Sequence, residues 1–131
     1  MPRSGRAHGA LKLYFDGGCQ PNPGPIEIAV VARGQIYRAA GLGVGTNDDA
    51  EWLALLHALE VARGLGARDI ILIGDSALVV NQSMGKAKCR SATLRRHLVV
   101  FLAEKAKFDR IRLRHVGRHH NLAGIALDRA R

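Results

Sequence analysis

Residues 11–44 hold three apolar runs of strand type, LKLYFD, IEIAVVA and QIYRAAGLGV, with no gap between them long enough for a helix. In the first, Leu11, Leu13 and Phe15 alternate with Lys12 and Tyr14, the period of a half-buried strand, and the run reads as ending at Asp16. The second (26–32) and third (35–44) are separated only by the turn-sized Arg33-Gly34. Strands joined this closely pair with their sequence neighbours, so the chain is predicted to begin as an antiparallel meander.

From about Asp48 to Arg63 the period becomes helical, with Thr46, Asn47 and Asp48 as candidate caps and Gly64 and Gly66 as stop signals. DIILIG (69–74) is continuously apolar, as expected of a strand covered on both faces. Helices near 76–83 and 91–107, a strand at 109–116 and a last helix from about Asn121 complete the order βββ-α-β-αα-β-α. That order predicts an α/β fold: a mixed five-stranded sheet, three antiparallel strands followed by parallel ones, with helices on both faces. Residues 1–10 read as a flexible basic tail and 11–131 as a single domain, long enough to bury its own core.

No apolar run approaches bilayer length, and MPRSGRAHGA lacks the apolar stretch of a signal peptide, so neither a membrane partner nor export is expected. Cys19 and Cys89 read as reduced thiols in a cytoplasmic setting, and no obligate protein partner is evident. The 20 Lys and Arg against 11 Asp and Glu, a formal net charge of +9, favour a polyanionic partner, nucleic acid foremost. GLGVGT (41–46) is not read as a dinucleotide loop, because its sixth position is Thr46 where the fingerprint needs glycine.

The acids say more. Asp16 and Asp75 each follow an apolar run; if a right-handed crossover lays those strands side by side, both carboxylates emerge at one end of the sheet, where open α/β sheets bind ligands. Glu51, in the first turn of the first long helix, is in line with Leu55, Ala58 and Ala62 and begins the face that packs on the sheet. Three converging acids repel one another, and a bound cation removes that cost. All-oxygen donors favour Mg²⁺ or Mn²⁺, and a pair of such ions beside a phosphodiester can activate a water and stabilise the departing oxygen.

DGGCQPNPGP, TNDDAEWLALLHAL (46–59) and GDSALVVNQ (74–82), in this order and spacing, resemble type 1 ribonuclease H over nearly everything from Leu11 to the last helix. The resemblance implies a ribonuclease H-like fold and metal-dependent, two-metal-ion cleavage of the RNA strand of RNA–DNA hybrids, leaving 5′-phosphate and 3′-hydroxyl ends. It makes Asp16, Glu51 and Asp75 catalytic metal ligands, and it carries minor-groove contacts onto Cys19, Asn22, Thr46 and Asn47. The family's fourth acid, in the first turn of the final helix, has no direct counterpart in VGRHHNLAGIALDRAR (116–131). The Val-x-Arg-x-x-Asn register drops Ile125 onto that place, a shorter loop puts Asn121 there, and Asp128 falls late in the helix. Asn121 is the favoured fourth ligand, a reading compatible with its serving as an N-cap.

Among the histidines of that loop, His119 and His120 are placed better than His115 to assist proton transfer or product release. His57 reads as structural. The basic, Trp-bearing helix of many family members is missing: GKAKCRSATLRR (85–96) is short, and Lys86, Lys88, Arg90, Arg95 and Arg96 offer only general phosphate attraction. The alternative to an enzyme is a hybrid-binding module that has lost turnover through the change at the fourth position. A nuclease of the same broad superfamily that cuts DNA is a further rival.

Overall fold

In the computed structural model, which describes residues 9–131, the three N-terminal runs pair as a meander: β1 (Leu11–Cys19), β2 (Gly24–Ala32) and β3 (Gln35–Gly45) are antiparallel neighbours. Most of the tail expected at 1–10 lies outside the described residues. There follow α1 (Asn47–Gly64), β4 (Asp69–Gly74), α2 (Ala77–Ser83), α3 (Ala92–Lys105) and β5 (Arg110–His115). A single 3-10 turn (Arg118–His120) then leads into α4 (Leu122–Arg129). The sheet order is β3-β2-β1-β4-β5, with β1–β4 and β4–β5 parallel, which is the expected mixed sheet. None of the helices among the described residues is long and apolar enough to cross a membrane.

β1 is longer than its alternation indicates. Asp16 does not close the strand: Gly17, Gly18 and Cys19 continue it, paired with Ile28, Glu27 and Ile26 of β2 after the pairing with β4 has stopped at Tyr14–Ile73. Glycines are poor strand formers and read as punctuation in a sequence. Here the ladder to β2 keeps them extended.

The sheet separates two apolar clusters of unequal size. On one side, α1, α2 and α3 bury Trp52, Leu55, Val79 and Phe101 against Leu13 and Phe15. On the other, Ala123 and Leu127 of α4 pack on Ala29 and Val31. Glu51, Leu55, Ala58 and Ala62 are all buried, so the stripe read from the helical period is the face that meets the sheet. Trp52 is fully enclosed, and its Nε1–H donates to Gln82 Oε1 at 2.9 Å, which satisfies both buried groups. His57 is half-buried and lies 3.5 Å from Glu60 on its own helix.

The start of α1 is fixed from three directions. Thr46 Oγ1 accepts from the Asp49 N–H at 3.2 Å, and Asp49 Oδ2 accepts from the Thr46 N–H at 3.0 Å, a capping box. His97 of α3 places Nε2 3.3 Å from Asp49 Oδ1 and stacks on Trp52. Gly17 then lets β1 run against this turn so closely that a Cβ there would overlap the Ala50 carbonyl. Gly17→Ala is therefore expected to cost about 3 kcal/mol, since two backbones must part to admit a methyl group. Urea denaturation checks this, and a midpoint equal to that of the unsubstituted protein would contradict it.

Candidate active site

Register brings the acids together. β1 and β4 pair in parallel from Leu11–Ile70 to Tyr14–Ile73, and Asp16 and Asp75 each stand two residues beyond the last pair. Both therefore leave the sheet at the same level. Glu51 arrives from the first turn of α1, where its Oε1 accepts from the Gly17 N–H at 3.1 Å. One carboxylate oxygen from each of Asp16, Glu51 and Asp75 lies within 4.8 Å of the others.

These charges are poorly compensated. Asp16 is 2% exposed, and its Oδ1 is buried without a hydrogen-bond donor. Burial and then the charge of Asp75 push the Asp16 carboxyl up to about 6, with Arg118 pulling partly against them. Burial, then Asp16 and Asp75, push Glu51 up to about 9. A cluster that resists ionisation this strongly needs more positive charge than the protein gives it.

Arg118 supplies part of that charge and was not singled out from the sequence. Its Nη1 lies 3.6 Å from Asp16 Oδ1 and 3.4 Å from Asp75 Oδ2, while Nη2 donates to both oxygens of Asp128 at 3.0 and 3.2 Å. The guanidinium thus joins the carboxylate cluster to Asp128. Asp128, late in α4, is connected to the three acids through this one arginine. Arg118 occupies the Arg of the Val-x-Arg-x-x-Asn pattern, which was the available signal.

Asn121 is fully buried, but its amide is turned the other way from a ligand. Its Oδ1 accepts from the Ala123 N–H at 3.1 Å as the cap of α4, and its Nδ2 donates to Phe15 O at 3.0 Å and to Asp75 Oδ2 at 3.1 Å. Flipping the amide would set donor against donor at Ala123, so the oxygen is held away from the acids. In this arrangement Asn121 is a cap that also steadies Asp75, and it turns an N–H rather than its oxygen toward the acids. Ile125 is exposed. Gly124 is the α4 residue whose missing Cβ faces the cluster, 3.5 Å from Asp16 Oδ2 and 3.6 Å from Asp75 Oδ2.

His119 and His120 are exposed in the 3-10 turn and make no hydrogen bond to the three acids. His115, at the end of β5, places Nε2 3.2 Å from the backbone oxygen of Asp75 and is the histidine beside the cluster. Its position could have been read from the strand end, which is where Asp16 and Asp75 also emerge.

The other four expected residues meet at the opposite flank. Asn47 Oδ1 accepts from the Cys19 N–H at 2.9 Å, Asn22 Oδ1 accepts from the Asn47 N–H at 3.0 Å, and the Cys19 thiol donates to Gly45 O at 3.3 Å. Both amide oxygens are committed, which turns the Nδ2 donors of the exposed Asn22 and Asn47 away from these bonds. Cys19 is buried with its N–H and thiol engaged, so it sets Asn47 in place rather than offering its side chain to a ligand.

A family model described as reverse transcriptase-like matches residues 14–128. Ribonuclease HI of Halobacterium salinarum is 39% identical over 98% of this chain and 67% of its own length. The chain belongs to the ribonuclease HI family. It is a ribonuclease H-type hydrolase by that membership. The crystal structure of RNase H1 from Halobacterium salinarum superposes with a TM-score of 0.82 at 37% identity, covering 91% of this chain and 94% of that one. LC11-RNase H1, solved in complex with an RNA/DNA hybrid, gives 0.82 at 28% identity over 92% and 98% of the two chains. The chain spans only 35% of the length of a bifunctional relative from Mycobacterium tuberculosis, to which it is 32% identical.

For a ribonuclease HI the donor set suits a divalent cation: three hard carboxylates converge, and the orphaned Asp16 oxygen has an acceptor to offer. A pH signature follows. Carboxyls raised in the folded state bind more protons than in the unfolded chain. The metal-free protein therefore loses stability as pH rises above the ordinary carboxylate values toward about 6 for Asp16 and about 9 for Glu51. A cation binds the ionised acids and reverses that loss. The gain in melting temperature on adding Mg²⁺ is expected to grow from pH 5 to pH 8.5, and an equal gain at both pH values would contradict this.

Proposed function

We propose that the chain is an endonuclease that cuts the RNA strand of RNA–DNA hybrids, leaving 5′-phosphate and 3′-hydroxyl ends, with divalent ions held by Asp16, Glu51 and Asp75. The observation that carries this reading is the undercompensated trio of acids, Asp16 and Glu51 buried and Asp75 half-buried, beside a loop with outward amide donors. Bound there, a pair of Mg²⁺ or Mn²⁺ ions would supply an activated water and a counter-charge for the departing oxygen.

The residues have distinct tasks in this scheme. Asp16 and Asp75 provide the central oxygens, and Glu51, pinned by the Gly17 N–H, keeps its second oxygen for the cation or its water. Arg118 would give up Asp16 and Asp75 to a bound divalent cation, and its Nη2, shared between the two Asp128 oxygens, would keep the guanidinium within reach of the substrate phosphate. His115, beside Asp75, takes the proton-handling role first expected of His119 or His120. Asn22 and Asn47 present donors to the wide minor groove, where a 2′-hydroxyl marks the RNA strand. Residues 11–131 would act as one catalytic domain, and two unpaired thiols, Cys19 and Cys89, suit a reducing, cytoplasmic compartment.

A hybrid-binding module without turnover is the second reading, favoured by one observation: α4 brings no acid of its own directly to the cluster. End-labelled hybrid, double-stranded RNA and double-stranded DNA, incubated with Mg²⁺, Mn²⁺ or EDTA, separate the two. Metal-dependent cutting confined to the RNA strand of the hybrid is expected, with Asp16→Asn lowering the rate by about 10²-fold or more. Hybrid bound but uncut in either metal would leave the binding module standing.

A further inference from the structure

We propose that the open face of β5 is a phosphate-tracking surface, on which Arg110, Arg112 and Arg114 hold the backbone of a nucleic-acid duplex as it leaves the carboxylate cluster. The inference rests on the hybrid reading above and adds to it a surface that the three-acid site does not include.

The strand's alternation sets the row. Ile111 and Leu113 pack against the large core, so Arg110, Arg112 and Arg114 share the other face, and all three are exposed. In register they stand beside Asp69, Ile71 and Ile73 of β4, and Lys12 of β1 flanks Ile71 from the far side. This is the side of the sheet that carries α4, but α4 is seated over β1, β2 and β3. The β4–β5 half is left to the arginines.

The charge there is one-sided. Four cations face a single acid, Asp69, whose Oδ1 lies 3.4 Å from Arg112. Arg110 and Arg114 have no acidic partner among the described residues, and residues 1–8 contain no Asp or Glu. Charges on an edge strand can serve merely to prevent pairing with another chain, but mixed signs do that as well and cost less self-repulsion. A row of one sign fits an anionic polymer.

Position and spacing fit the same partner. Arg114 is level with Ile73, two residues short of Asp75, and the next residue, His115, lies against the Asp75 backbone oxygen at 3.2 Å. The row therefore begins at the cluster and runs away from it. Alternate residues of a strand are about 6.6 Å apart, so three arginines extend about 13 Å, over which one strand of a duplex presents about four phosphates. The chain also lacks a helix between Ser83 and Ala92, the segment expected to be too short for a basic helix. β5 offers the phosphate contacts that this segment does not.

The test is the salt dependence of hybrid binding in EDTA, where nothing is cut, for the full chain and for the triple variant Arg110→Gln, Arg112→Gln, Arg114→Gln. Loss of three phosphate contacts should lower the slope of log K against log[salt] by about 2.7. Removing three cations elsewhere, with Arg33→Gln, Arg38→Gln and Lys105→Gln, should lower it by less than about 1. The triple Arg→Lys variant should keep the slope, which separates lost charge from a damaged strand; in the triple Gln variant, kcat at saturating hybrid should stay within about twofold while KM rises. A triple Gln variant that melts like the parent and keeps the parent's slope overturns the proposal. So does a control triple that loses as much slope. If the unsubstituted chain neither binds nor cuts hybrid, the earlier reading fails; if it binds and cuts but the triple Gln variant keeps its slope, this proposal alone fails.

Discussion

Three carboxylates held close together in a nearly closed space form the constraint around which the rest of the molecule is arranged. Asp16 is 2% exposed, with one oxygen unpaired, and Glu51 is almost as deeply set. Unpaired buried charge costs several kcal/mol per group, a large share of the net stability of a domain of this size. The scaffold must therefore outweigh the site. It does so with a β4 that is apolar and buried from Ile70 to Gly74, a fully enclosed Trp52 and an α1 whose start is tied by its own capping box and by His97.

The geometry of the trio follows from backbone rather than side-chain choices. Parallel register between β1 and β4 sets Asp16 and Asp75 level, and the antiparallel ladder to β2 keeps β1 straight past the point where β4 ends. Gly17 admits α1 at a distance no other residue permits, and in return its N–H orients Glu51. Arg118 and Asn121 then secure Asp75 from the α4 side, one as a cation and the other as an amide donor.

Much of this was legible in the sequence because it rests on periods and turns. The meander, the α1 stripe through Glu51, Leu55, Ala58 and Ala62, and the convergence of Asp16 with Asp75 all follow from counting residues. What escaped was decided by partners distant in sequence. β1 outran its apolar alternation because β2 supplied hydrogen bonds to Gly17 and Gly18. The orientation of the Asn121 amide could not be read because the Ala123 N–H and the Phe15 carbonyl, 106 residues away, together fix which end faces the acids. Arg118 and His115 had signals in the sequence, the Val-x-Arg-x-x-Asn pattern and the strand end, but their contacts with Asp75 depend on the pairing of β5 with β4 and on the turn that follows it.

The most direct measurement is anomalous diffraction from crystals soaked in Mn²⁺. A peak bounded by oxygens of Asp16, Glu51 and Asp75, with Arg118 withdrawn from the first and third and still paired with Asp128, is the expected result. No peak at that position at saturating Mn²⁺, with Arg118 still lodged between Asp16 and Asp75, would contradict the view that these three acids are gathered to hold a cation.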